Sequence, residues 1–198
     1  MDRNFLESKF IEYGELAFDL MIISILVVIF ALPILTAGSA ITASYYVLLE
    51  RKKNGNNMSV LNIIRIFLKG FIKNIGQTTL TTVWIIISLI SIHTILKVFS
   101  LGYIIMGVSL FLIIEVLIYT QVIFYIYARA DKLKYFNGVM NGIFIAHKKL
   151  PIIILSILIQ VVFALIISRF NWMIIILIGL SFQINVILFD KYHVENQI

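Results

Sequence analysis

The chain has 198 residues, of which 61% are hydrophobic and only 13% charged, and its mean hydropathy is +1.04. Soluble domains carry about 25% charged residues, and here the apolar excess lies in long uncharged runs, so the composition predicts a polytopic helical membrane protein rather than a soluble domain. The net charge of +6 is read as basic membrane-flanking loops that touch anionic lipid head groups, not as a nucleic-acid surface. With no cysteine in the chain, disulfides and thiolate metal sites are excluded.

Residues 2–19 are acidic, with Asp2, Glu7, Glu12, Glu15 and Asp19 against Arg3 and Lys9. Interleaved Phe5, Leu6, Phe10, Ile11 and Tyr13 predict an amphipathic lead-in helix. A cleaved signal peptide wants a basic start, so cleavage at the small residues Ala37–Ala40 is not expected.

Leu20 to Leu49 is uncharged for 30 residues. As one helix it would be ~45 Å long, against a hydrocarbon core of ~30 Å. Pro33 breaks it, because proline lacks an N–H and clashes with the preceding turn. The weakly polar run Thr36-Ala37-Gly38-Ser39-Ala40 follows. The segment reads as a first span over about 18–49, broken at Pro33–Ser39. Two geometries fit that break, a kinked crossing or a re-entrant turn, and the side of the N-terminus depends on which is adopted.

Residues 50–74 hold the turn Asn54-Gly55-Asn56-Asn57. Next, Val60, Ile64, Phe67 and Phe71 recur at helical spacing, with Arg65, Lys69 and Lys73 on one stripe. That is a basic amphipathic surface helix suited to anionic lipid or a protein partner. Spans are predicted at about 75–96, 101–128, 150–168 and 171–189, the second of the five being rich in hydroxyls at Thr78, Thr79, Thr81 and Thr82. A second basic amphipathic stretch, 131–149, ends in Lys148 and Lys149. Lysine and arginine concentrate in 50–74 and 129–149, which predicts that both loops face the cytoplasm of a cell membrane. A faint repeat runs through 20–96 and 101–168: a span ending in tyrosines and basic residues, a basic amphipathic helix, then a span.

The fold expectation is therefore an all-α bundle of five transmembrane helices in one membrane domain, the first broken, with two basic amphipathic surface helices. Within it, Glu115 is a charge near mid-span, costing at least ~2.5–3.5 kcal/mol unless paired or protonated. Tyr119 lies one turn on, and Gln160 and Gln183 sit at similar depth on other spans. Glu115 reads either as a proton- or cation-coupling group or as a packing group. At the break, Thr36 or Ser39 could cap a half-helix whose N–H groups, with Gly38, receive an anion; the alternative is close packing of small residues. Thr36, Gly38, Ser39, Glu115, Tyr119 and Gln160 form the candidate intramembrane site, and Arg65, Lys69, Lys73, Lys148 and Lys149 the candidate lipid or partner surface. His93 stands alone, so no metal is expected. No phosphate-binding loop, nucleophile elbow or dinucleotide fingerprint occurs, so no enzyme activity or cofactor is expected.

Leu32 to Val47, LPILTAGSAITASYYV, resembles the "LPxxTxGxATTAlYYv" signature of the YesL-like integral membrane proteins. Phe67, Phe71, Lys73 and Asn74 resemble that family's "FxxxFKxN" stretch. Tyr127-Ala128-Arg129, Asn137, Asn141-Gly142 and Lys148-Lys149-Leu150-Pro151 resemble its third-to-fourth span connection. The resemblance implies a bacterial membrane protein of unassigned function, associated with carbohydrate uptake and polysaccharide breakdown, and supplies no catalytic or ligand residue. The functional expectation is a non-enzymatic accessory factor for carbohydrate uptake or utilisation, partnered by lipid and by another membrane protein or transporter subunit. The alternative is a small-solute or proton-coupled transporter using the broken helix and Glu115.

Overall fold

A computed structural model describes residues 3–54, 58–98, 103–130 and 134–191. Over these residues the chain is all-α: α1 (Arg3–Ala31), α2 (Ala37–Asn54), α3 (Val60–Val98), α4 (Tyr103–Arg129), α5 (Tyr135–Lys148), α6 (Leu150–Arg169) and α7 (Ile174–Lys191). Five helices are long and apolar enough to cross a membrane: α1, α3, α4, α6, and α7 with the short turn before it. The turn Asn54–Asn57 expected in the first basic loop falls mostly outside the described residues, as does part of the 129–149 loop.

The break is where the proline places it. Proline disfavours helical geometry at the residue before it, and α1 stops at Ala31. Pro33 is extended (φ −74°, ψ 108°), a single 3-10 turn Ile34–Thr36 follows, and α2 starts at Ala37. The Thr36 hydroxyl closes this turn, 2.7 Å from Phe30 O and 2.8 Å from Pro33 O.

Of the two geometries open at Pro33, the chain adopts a reversal. At one end of the pair, Thr36 touches Phe30. At the other, Arg51 Nε lies 3.1 Å from Asp19 Oδ2. Asp19 is ~18 Å of helix before Ala31, and Arg51 is ~21 Å after Ala37. Both contacts hold only if α2 runs back alongside α1. The segment 18–49 is thus a helical hairpin whose two ends lie together, and its tip exposes Leu32 and Ile34 (74% and 70%).

Two further boundaries differ from expectation. The lead-in helix and the first apolar stretch are one helix, α1. The basic stretch around Arg65 is no separate surface helix either; it is the first part of the 39-residue α3, which runs on unbroken into the hydroxyl-rich span. Nothing between Val60 and Val98 stops a helix, since Gly70 and Gly76 cost only ~1 kcal/mol each against alanine. The second basic stretch is a helix of its own, α5, ended at Lys149 (φ −114°, ψ 24°) just before Pro151 in the first turn of α6.

α2 is the central element and packs on α1, α3, α4 and α7. Glycines set the closest approaches. A Cβ at Gly70 would overlap the Tyr46 ring, one at Gly138 the Tyr127 ring, and one at Gly179 the Leu20 carbonyl oxygen. Tyr46 of α2 thus seats on α3, and Tyr127 of α4 on α5, each on the helix that follows its own. The remaining apolar surface, such as Leu158, Val161, Val162 and Leu165 on α6, is exposed and suits lipid contact.

Candidate functional site

The residues expected to form one intramembrane site occupy three separate places. The first is the hairpin tip. Gly38 is buried, and a Cβ there would overlap Thr82 Oγ1 and the Phe124 ring. Ser39 is buried with its hydroxyl 2.6 Å from that of Thr78. Thr36 N–H and Ala37 N–H bond to Pro33 O and Ile34 O inside the 3-10 turn. The tip residues thus spend their polar groups and space on α3, α4 and their own turn. Thr36 closes the turn before α2 and does not cap it.

The second place is one face of α4. Glu115 is half-buried beside the Tyr119 hydroxyl, which lies 3.4 Å from His147 Nε2 on α5. Tyr119 also lines an open, mainly apolar groove of about 410 Å³ with Trp84, Phe136 and Ile143.

The third place holds Gln160, and it is a polar clamp that the sequence reading did not assemble. Gln160 Oε1 is 2.6 Å from Gln121 Nε2. Gln121 Oε1 is 2.7 Å from Ser156 Oγ, which is 2.6 Å from Asn185 Oδ1. Asn185 Nδ2 is 3.0 Å from Tyr45 Oη. A hydroxyl carries one proton, so Ser156 donates to one amide and accepts N–H from the other, turned over. Turning Asn185 over lets Tyr45 donate in return, so the chain stays bonded throughout. It ties α2, α4, α6 and α7 together where each polar group would otherwise face hydrocarbon. No hydrogen bond joins the three places among the described residues.

The expected basic surface also divides. Arg65 and Lys69 are exposed on α3, while Lys73 lies 5.1 Å from the centroid of the Tyr46 ring. Lys148 is 6.0 Å from the Phe144 centroid, and Lys149 is half-buried where α5 meets α6.

What organises the charged end of the bundle is a residue that the sequence reading passed over, Asp190 in the last turn of α7. Its side chain is only 8% exposed. Tyr125 Oη donates to Oδ1 at 2.8 Å, Arg129 Nη1 lies 3.3 Å from the same oxygen, and Lys52 Nζ bonds Oδ2. Tyr45 and Phe189 pack edge-on against the Tyr125 ring. Below it, Asp19 and Arg51 pair with side chains 7% and 6% exposed. The available signal was positional: Asp19 and Asp190 each sit at the boundary of an apolar run, Asp190 next to Lys191. Over Asp190 opens a concavity of about 610 Å³, lined by Lys52, Lys53, Lys69 and Arg129 with Glu50 and Tyr46.

Compared with known proteins, the chain matches no family model, no curated protein and no solved structure.

Proposed function

We propose that the chain is a multi-pass cell-membrane protein that serves as a non-enzymatic accessory factor in carbohydrate uptake or utilisation, with its 50–74 and 129–149 loops in the cytoplasm. The membrane setting is supported by the five apolar helices, and the orientation by the lysines and arginines of the two loops. The link to carbohydrate systems rests on the resemblance to YesL-like proteins in Leu32–Val47, and its partner would be a membrane subunit of such a system.

The observation that carries the accessory reading is the filled hairpin tip. A transporter built on the broken helix needs the tip to line a cavity shared with Glu115. Here Gly38 meets Thr82 and Phe124, Ser39 meets Thr78, and Glu115 lies with Tyr119 on another face. This arrangement favours packing over transport.

Two measurements test the reading. Cross-linking in intact cells, followed by purification, is expected to recover a permease or solute-binding subunit of a carbohydrate-uptake system. Liposomes containing the protein are expected to show no sugar flux above empty liposomes. Proton-coupled flux that Glu115→Gln abolishes would overturn the accessory reading.

A further inference from the structure

We infer that the concavity over Asp190 is a binding site for a phosphate-bearing anion. Its walls come from α2, α3, α4 and α7, so the fold brings together residues far apart in the chain: Lys52 and Lys53, Lys69, Arg129 and Asp190. Four cations share this basin with two carboxylates, Glu50 and Asp190. Both carboxylates are already engaged. Glu50 Oε1 is 3.1 Å from Lys53 Nζ, and Asp190 is held by Tyr125, Arg129 and Lys52. Asp190 is held by the buried Tyr125, and Lys69 has no carboxylate partner among the described residues. The basin therefore keeps excess positive charge.

Its floor strengthens that field. Leu49 and Ala128 are buried and apolar and Tyr46 is half-buried, which lowers the local dielectric and focuses the potential on the opening. A volume of about 610 Å³ lies within the ~300–1,000 Å³ of small-ligand sites. A compact, multiply charged oxyanion is the ligand that ammonium and guanidinium groups gathered around one basin reward most through charge-assisted hydrogen bonding. Phosphate fits that description, whether free, on a soluble monoester, or on a lipid head group. The site is independent of the accessory role, which concerns a protein partner.

The test uses the full chain in phosphatidylcholine nanodiscs at about 150 mM chloride, where diffuse surface attraction is largely screened. Inorganic phosphate is titrated by calorimetry and ³¹P spectroscopy. A second arm replaces phosphatidylcholine by phosphatidylglycerol and reads retained lipid by native mass spectrometry. The basin variant is Lys53→Gln/Lys69→Gln, both exposed side chains outside the buried networks. The control is Lys97→Gln/Arg169→Gln, two exposed side chains with the same loss of charge outside the basin. Saturable binding in either arm, weakened about tenfold or more in the basin variant and little changed in the control, supports the site; the arm that responds identifies the source. Binding in neither arm, or equal weakening in both variants, overturns it.

Discussion

Asp19 and Arg51 form a buried ion pair, 3.1 Å apart, between the two legs of the α1–α2 hairpin. They lie 32 positions apart in the chain, and the pairing is possible only because the chain reverses at Pro33. The pair locks the open end of the hairpin, as Thr36 locks its tip.

Removing one member of a buried ion pair costs ~3–5 kcal/mol, whereas replacing both members by apolar residues is often neutral. Asp19→Asn is accordingly expected to lower stability in detergent by ~3 kcal/mol. Asp19→Leu combined with Arg51→Met should retain most of the wild-type stability. Thermal unfolding of the three proteins checks this, and equal losses in the single and double variants would contradict it.

The glycines separate by what surrounds them. At Gly179 a Cβ would strike the Leu20 carbonyl oxygen, and backbone cannot yield as a flexible side chain can. Gly179→Ala should cost ~1–3 kcal/mol by overpacking the α1–α7 crossing. At Gly76 nothing lies within 4 Å, so Gly76→Ala should stabilise α3 by up to ~1 kcal/mol through helix propensity alone. Opposite signs in chemical denaturation are the expected result.

The polar clamp and Glu115 make a second contrast. Asn185→Leu removes the partner of both Tyr45 and Ser156 and should cost ~1–3 kcal/mol, because buried groups are left unpaired. Glu115→Gln, on a half-buried face beside the Tyr119 hydroxyl, keeps the shape of the side chain and a hydrogen-bonding group and should change stability by no more than ~1 kcal/mol. Denaturant titrations of both variants test the ranking, and a Glu115 effect as large as that of Asn185 would restore Glu115 as an organising residue.

The membrane class, the five apolar helices and the break at Pro33 were legible because hydropathy and proline chemistry are local. The direction taken after Pro33 was not. A kink and a reversal share one local sequence, and the choice is made by contacts such as Asp19 with Arg51 across the hairpin. The fusion of the Arg65 stretch with the next span was missed for a related reason: a change from amphipathic to fully apolar composition marks a change of surroundings, not the end of a helix. The intramembrane site was drawn from residues at equal depth, but depth does not give the face of the helix. Gln160 therefore met Gln121 and not Glu115. Asp190 was overlooked because a lone acid at a span end looks like ordinary flanking sequence, and its partners Lys52, Tyr125 and Arg129 come from two other helices.

The reversal at Pro33 is the central claim, and sidedness tests it most directly. The chain contains no cysteine, so single-cysteine variants report cleanly with a membrane-impermeant thiol reagent. Glu15→Cys and Lys53→Cys, beyond the two ends of the hairpin, are predicted to react from the same side of the membrane. Trp172→Cys, between α6 and α7, is predicted to react from the opposite side. Labelling of Glu15→Cys and Lys53→Cys from opposite sides would contradict the hairpin.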